Sequence, residues 1–351
     1  MKSPDGICEI FLNKGWKTIR FIIKSFMNNI ALSILIPSRN ENFLARTIQD
    51  ILEHSEANIE IIALLDGQWA NPAIPQHPQV NVIFVPESIG QRAGTSLACK
   101  LAQGKYIAKL DAHCAFDQGW DRKMIEFMEK HGDDTVAVPI MRNLWAFDFK
   151  CYHCGWKKYQ GPTPTECGAC GKKDKIRKKM MWVGKHNPQS WSFCFDNEPH
   201  FQYFEDYKHR PGIRDKAQKE GYSETMSLQG SFWMMSREKY LEYIPTREHF
   251  GSWGNEGLEI ACLGWLTGGR VLVNHETWYA HLFRTQGGDF GFPYHQSGRE
   301  VDKTKNTVWE FIKQGKLPNQ KHPVSWLVEK FAPVSGWSEE DLQRLKKEEK
   351  I

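Results

Sequence analysis

Short apolar runs alternate with amphipathic stretches through the first third of the chain. Leu32-Ser-Ile-Leu-Ile-Pro37 reads as a strand, Phe43 to His54 as a helix, Ile59 to Leu65 as a second strand and Val80 to Val85 as a third. Arg92 to Gln103 follows as a helix, and the β-rich run Lys105 to Asp111 as a further strand. Such alternation predicts an α/β fold built on a mostly parallel sheet with helices on both faces. Ligands bind sheets of that kind at the carboxyl ends of the strands. Neither Gly-x-Gly-x-x-Gly nor Gly-x4-Gly-Lys-Ser/Thr follows the first strand, so a dinucleotide fingerprint and a P-loop are both unsupported.

The two ends of the chain carry different patterns. Trp16, Ile19, Ile23 and Phe26 recur at helical spacing among Lys14, Lys17, Arg20 and Lys24. This basic amphipathic helix either packs on its own domain or lies on an anionic membrane surface as a peripheral contact. Near the other end, Trp309, Phe311, Ile312, Trp326 and Trp337 read as anchors that pack a tail onto the domain. Glu339 to Lys350 reads as a charged, solvated helix opening near Ser338, with no chemistry of its own.

Composition narrows the class. The 351 residues are 40% hydrophobic and 13% aromatic, enough for a large core in one big domain or two unequal ones. A net charge of only +4 argues against a surface that is basic throughout and leaves local patches as the question. No signal-peptide pattern follows Met1, and no apolar run reaches the roughly 18 residues of a membrane span. Of nine cysteines, Cys8, Cys99, Cys114, Cys194 and Cys262 are scattered and odd in number, which suggests reduced thiols and a cytoplasmic location.

The other four cysteines are organised. Cys151-x2-Cys154-Gly and Cys167-x2-Cys170-Gly lie twelve residues apart, the spacing of a four-cysteine zinc ribbon. Four thiolates close the coordination sphere, so the expected Zn2+ is structural. Residues 150 to 185 hold ten Lys or Arg against Glu166 and Asp174. With Trp156, Tyr159 and Trp182 nearby, this stretch is either a solvated insert or a nucleic-acid contact.

Asp111-Ala-His113 closes the strand that starts at Lys105. In an extended segment residues i and i+2 share a face, so the two side chains can converge on one divalent cation. Alternatively, Asp111 caps the next turn and His113 is a surface residue.

Several segments share one family likeness. Leu32-Ser-Ile-Leu-Ile-Pro-Ser-Arg-Asn-Glu41, Glu60-Ile-Ile-Ala-Leu-Leu-Asp-Gly67, Gly90-Gln-Arg-Ala-Gly94 and Lys109-Leu-Asp-Ala-His-Cys114 resemble the nucleotide-sugar half of GT-A glycosyltransferases, of a family 2-like type. The Asp-x-His form is similar to the catalytic domain of polypeptide N-acetylgalactosaminyltransferases. Gln229-Gly-Ser-Phe-Trp-Met-Met-Ser236 resembles that family's acceptor-side strand, Trp253-Gly-Asn-Glu-Gly-Leu-Glu259 its Trp-Gly-Gly-Glu-Asn segment, and His281-Leu-Phe-Arg284 its His-Val-Phe-Arg.

The resemblance implies roles for individual residues. Asp111, His113 and His281 would hold Mn2+ against the diphosphate of a nucleoside-diphosphate sugar; by ligand type alone zinc or iron also fits. Glu256 would orient a sugar or acceptor hydroxyl, or else serve as a helix N-terminal charge. Trp253 would cover the sugar, Arg284 reach a phosphate, Asp66 contact the nucleoside, and Arg92 the nucleoside or diphosphate.

Two positions depart from the family pattern: Leu65 precedes Asp66 where relatives carry two aspartates, and Gly257 replaces an Asn. With no lectin-like domain or membrane anchor recognised, a secretory-pathway protein O-glycosyltransferase is not expected.

The implied layout is an N-terminal helix (1–30), a nucleotide-sugar half (31–145), a zinc-ribbon insertion (146–185), an acceptor-side half (186–290) and a C-terminal extension (291–351). The implied activity is transfer of a sugar, UDP-linked, to a hydroxyl with retention. The acceptor is a glycan, lipid-linked sugar or protein hydroxyl, or a hydroxymethylated base in DNA. A non-catalytic zinc-ribbon binding protein on the same fold is a third reading.

Overall fold

The computed structural model describes residues 30–248, 250–284, 290–292, 294 and 297–351. The amphipathic helix expected from Trp16 to Phe26 lies outside the described residues.

The first half alternates as its hydrophobic pattern predicts: β1 (Leu32–Ser38), α1 (Leu44–His54), β2 (Ile59–Asp66), β3 (Val80–Val85), α2 (Gln91–Leu101) and β4 (Tyr106–Leu110). Then come β5 (Cys114–Phe116), α3 (Trp120–His131), the long β6 (Thr135–Cys151), β7 (Lys157–Tyr159) and the long β8 (Ile176–Ser190). The chain continues through β9 (Phe193–Phe195), β10 (Phe201–Tyr203), α4 (Glu205–Lys208), α5 (Ile213–Glu220), β11 (Tyr222–Glu224), β12 (Phe232–Ser236) and α6 (Arg237–Arg247). It closes with α7 (Glu256–Leu266), β13 (Arg270–His281), α8 (Gly298–Lys313), α9 (Val324–Phe331) and α10 (Glu339–Glu348).

The main sheet runs β11-β13-β6-β12-β4-β1-β2-β3. β3, β2, β1 and β4 are parallel neighbours, β12 runs antiparallel against β4, and β13 pairs parallel with β6. Every residue of β2 and β4 is buried, as expected of strands covered on both faces. In this order the last residues of β1, β2, β4 and β13 and the first of β12 come to one sheet edge. Fold topology therefore gathers Ser38, Asp66, Asp111, His281 and the Gln229–Ser231 turn before any side-chain chemistry is considered.

β6 continues past the sheet and pairs antiparallel with β8 and β7, forming a ribbon that carries all four organised cysteines. A separate apolar cluster roots it: Leu144, Phe147, Phe149 and Trp182 of the ribbon pack with Phe43, Ala280, Leu282 and Phe290. Trp182 takes positive φ (55°) within β8, where the β6 register is irregular, and its ring lies 5.5 Å from that of Phe43. In the C-terminal extension, Trp309, Trp337 and Val328 are buried or packed on the main core as their pattern predicts. Ser338 and Asp341 form a capping box at the start of α10.

Candidate active site

A cavity of about 620 Å3 opens at the gathered edge. Its wall includes Asp111, His113, His281, Asp66, Trp253 and Arg284, all singled out from sequence. β4 ends at Leu110, and residues 111 to 113 form a bend before β5. The two side chains therefore do not converge as i and i+2 of one extended strand, as the sequence pattern suggested. They converge because the Asp111 amide donates to Ser231 O, and because Cys114 pairs with His281 in the β5/β13 ladder.

Donor geometry fits a cation. His113 Nε2 and His281 Nε2 lie 3.1 Å apart, and Asp111 Oδ2 is 3.3 Å from His281 Nε2 and 3.8 Å from His113 Nε2. Burial pushes both imidazoles down to about 4, so at neutral pH both are uncharged. Two neutral rings that face each other through the same nitrogen satisfy at most one lone pair between them, and a cation resolves the conflict. One carboxylate and two imidazoles on one side of an ion leave its other positions open. Behind the site, Glu41 Oε2 lies 3.5 Å from His113 Nδ1; both atoms are buried and otherwise lack a hydrogen-bond partner. A carboxylate there fixes the tautomer that leaves Nε2 free for metal.

Asp111 is 29% exposed toward the cavity, yet its ionisation is secured from below. Burial opposes the charge, but the Lys109 ammonium at 2.8 Å and a hydrogen bond to His281 outweigh it and hold the carboxyl far below the ordinary range. Lys109 is fully buried; against the cost of burial, Asp111 and Glu256 hold it charged. From Lys109 a chain of buried ion pairs leads away from the cavity. Glu256 Oε2 is 3.1 Å from Lys109, Glu256 Oε1 is 3.0 Å from Arg247, Arg247 Nε is 2.8 Å from Glu259, and Glu259 is 2.7 Å from Arg92. Three cations thus match three carboxylates, which is what makes burying them tolerable.

This network revises two expectations. Arg92 is 3% exposed, bonded to Glu259 and to the carbonyls of Gly251 and Gly254, and does not line the cavity; its neighbour Gln91 does. Its guanidinium is consumed in bracing the Gly251–Gly254 loop against α2. Glu256, at the first turn of α7, is also absent from the wall. Its carboxylate is taken by Lys109, Arg247 and the Gln91 side chain, which donates at 2.7 Å. Burial opposes its ionisation, and Lys109, Arg247 and Arg92 keep its pKa lowered.

The Gly257 departure has a packing cause: a Cβ there would sit 2.0 Å from Leu228 O, so the turn entering β12 closes directly on α7. Gly90 has φ +85°, and a Cβ there would meet Ser252 Cβ at 2.4 Å.

Asp66 accepts hydrogen bonds from Ser88 Oγ and from the amides of Ile89 and Gly90, tying the loop before α2 to the end of β2. Arg284 pairs with Glu41 and lies over the Phe290 and Phe292 rings; burial pushes its pKa down to about 10, with Tyr294 opposing. Trp253 meets Phe292 edge-on at 5.9 Å. The wall also contains Arg39, Tyr294, Ser297, Glu300 and Val301. The last four belong to the extension that the sequence pattern assigned no chemistry. An aromatic and a helix start carry no motif, so only the folded path brings them to the site.

The ribbon cysteines meet as their spacing predicts. Cys151 Sγ lies 3.8 Å from Cys170 Sγ and Cys154 Sγ 3.5 Å from Cys167 Sγ, and the four ligand atoms lie within 4.8 Å of one another. A tetrahedron with Zn–S bonds of about 2.3 Å has edges of about 3.8 Å, so the cluster fits Zn2+. Burial raises the Cys167 thiol, but the amides of Cys170 and Ala169 donate to its sulfur and bring it down to about 6. The scattered Cys99, Cys114, Cys194 and Cys262 are buried and free.

Residues 33–165 match the model of glycosyl transferase family 2. The chain is 22% identical over 294 residues to a putative polypeptide N-acetylgalactosaminyltransferase 13 of Drosophila melanogaster, covering 79% of this chain and 45% of that protein. It is 24% identical over 272 residues to a probable N-acetylgalactosaminyltransferase 9 of Caenorhabditis elegans, covering 74% and 40% respectively. Among solved structures it is similar to GalNAc-T7 with UDP, GalNAc and Mn2+, at a TM-score of 0.58 and 16% identity over 91% of this chain and 55% of that one. The chain thus spans about half the length of these relatives or less. Sheet order, strand-end site and structural likeness agree on a GT-A fold, and within it residues 33–165 match the glycosyl transferase family 2 model.

Proposed function

We propose that the chain is a metal-dependent glycosyltransferase that moves a sugar from a nucleoside-diphosphate sugar, UDP-linked, to an acceptor hydroxyl with retention at the anomeric carbon. The observation that carries this reading is the Asp111, His113 and His281 donor set on the wall of the strand-end cavity. A Mn2+ ion bound there would neutralise the charge that develops on the departing diphosphate. The protein's own groups divide the remaining work. Lys109 holds Asp111 ionised and fixed in place, and Glu41 orients His113. Arg284, on the cavity wall and paired with Glu41, is a cation that can turn to a phosphate oxygen, as is Arg39 on the same wall. Asp66 stands at the end of β2 for the nucleoside, and Trp253 offers an apolar face to the sugar. Glu256 acts as a positioning residue: it holds the side chain of Gln91, a residue of the cavity wall, and both its oxygens are taken by Lys109, Arg247 and Gln91. UDP and a sugar sit with Mn2+ in the structurally similar GalNAc-T7, which supports the choice of donor. The four buried thiols support a reducing, cytoplasmic setting.

The test is a panel of nucleotide sugars with Mn2+, read by release of the nucleoside diphosphate. Release from at least one UDP-sugar, abolished in Asp111→Asn and by chelation, is the expected result. Absence of release across the panel, or equal release by the variant, defeats the reading. Proton NMR of the product's anomeric signal decides retention.

A further inference from the structure

The three-stranded ribbon presents a row of cations that its own carboxylates do not neutralise. Lys150 of β6 is directly opposite Lys157 of β7 on one side and Arg177 of β8 on the other. Two residues along and on the same face, Asp148 stands between Tyr159 and Lys179. Asp148 is buried and its Oδ1 accepts from Trp145 Nε1 at 2.7 Å. Among the described residues no ion pair is formed by Lys150, Lys157, Arg177 or Lys179, whereas Lys175 is paired with Asp174. Like charges directly opposite across strands destabilise a sheet, and here three sit about 4.8 Å apart in one row. Beside them, Tyr159 is 41% exposed and meets Trp145 edge-on at 5.6 Å, with Lys185 Nζ 4.1 Å from the Tyr159 ring centre.

We propose that this ribbon face, formed by Lys150, Lys157, Arg177, Lys179 and Tyr159, binds nucleic acid. Closely spaced fixed cations need a ligand of comparable charge density, and a nucleic acid carries one negative charge about every 1.7 Å of duplex or 3.4 Å of single strand. An exposed aromatic beside the row, Tyr159, supplies a stacking surface for a base, the pairing used by single-strand binders. A membrane surface fits less well: the alternate face mixes exposed Met180, opposite Phe147, with Lys158 and Lys178, both opposite Phe149, and so offers a bilayer no purely apolar face. The face also lies within reach of the cavity. Asn143 of β6 is opposite His281, and Lys150 follows seven residues later, about 23 Å along the strand. Binding here is independent of sugar transfer and is measured without donor.

The test is fluorescence anisotropy of labelled oligonucleotides of about 20 nucleotides, single-stranded and duplex, titrated with the full chain between about 50 and 200 mM salt. Binding that weakens steeply with salt is expected. In the variant carrying Lys150→Gln, Lys157→Gln, Arg177→Gln and Lys179→Gln, affinity falls at least tenfold at low salt. The slope of log K against log salt becomes shallower by about 3, from roughly 0.7 per single-strand phosphate released. Tyr159→Ala weakens binding about tenfold with the slope unchanged. Zinc content and thermal midpoint serve as fold controls; should the fourfold variant fail them, Lys157→Gln and Lys179→Gln alone each lower the slope by about 0.7. No binding at 50 mM salt, binding indifferent to these residues, or preferential sedimentation with phosphatidylserine vesicles would overturn the assignment.

Discussion

Two clusters of metal-type ligands in this chain differ in every respect that matters for chemistry. The four cysteines close on one another at the tip of a ribbon and would satisfy a tetrahedral ion completely. Asp111, His113 and His281 lie on one side of an open cavity and leave most of a coordination sphere to a ligand. Support differs as well. The thiolate cluster is stabilised by local amides within its own turns, at Ala169 and Cys170. The cavity cluster is stabilised by residues brought from afar: Glu41 behind His113, Lys109 beneath Asp111, and beneath Lys109 a chain of ion pairs reaching Arg92. A site that must organise a fold can be local, whereas a site that must hold a charge in fixed orientation draws on the whole domain.

The sharpest way to break this contrast is to disable each cluster and read both outcomes. Asp111→Asn should cost about 10³-fold in nucleotide release while bound zinc, measured by atomic absorption, stays at one per chain. Cys154→Ser should do the reverse: zinc is lost and the ribbon becomes protease-sensitive, while hydrolysis of the donor changes less than about threefold, since the apolar root at Phe43 and Trp182 remains. Equal loss of hydrolysis in both would show that the ribbon shapes the cavity directly.

Lys109→Met attacks the supporting network. It leaves Asp111 and Glu256 without their shared cation, and removing one member of a buried pair costs about 3 kcal/mol or more. Urea denaturation should show that loss even in protein stripped of both metals. A change below about 0.5 kcal/mol would mean that water already screens the network.

The two clusters also differ in how far the sequence reveals them. The cysteine spacing specifies its own geometry, because each CxxC turn is a local structure. Asp111 and His113 are visible as a motif at a strand end, and His281 joins them only through family likeness; the strand pairing that unites them spans 168 residues. The early strands and helices follow their hydrophobic period closely, since β2 and β4 are buried on both faces and α1 and α2 on one. What the sequence hides is partnership. Arg92 and Glu256 read as site residues, yet each is spent on buried ion pairs with residues up to 167 positions away. Tyr294 and Glu300 line the cavity with no local signature at all.

Glu41→Gln tests the distant support of a single ligand. The amide keeps the shape, but presents either a weaker acceptor or a donor to His113 Nδ1, so the preferred tautomer is less firmly held. Loss of such a partner lowers metal affinity about 10- to 100-fold. The loss should appear in the Mn2+ concentration needed for half-maximal release, with the rate at saturating Mn2+ within about twofold of the parent. A fall in the saturating rate instead would place Glu41, or its partner Arg284, against the substrate.

Acidification gives the smallest and most specific effect. An exposed histidine protonates near 6.5, so a site of exposed imidazoles loses cations as pH falls through that value. Burial moves His113 and His281 down to about 4. The sign follows: between pH 6.5 and about 5 both rings stay neutral, no proton competes for Nε2, and Mn2+ affinity measured by calorimetry should be flat. It should then fall as pH approaches 4. An affinity that halves near pH 6.5 would mean that the rings are solvated before metal arrives, and the open cluster would then owe its geometry to the ion, unlike the closed one, whose turns set it locally.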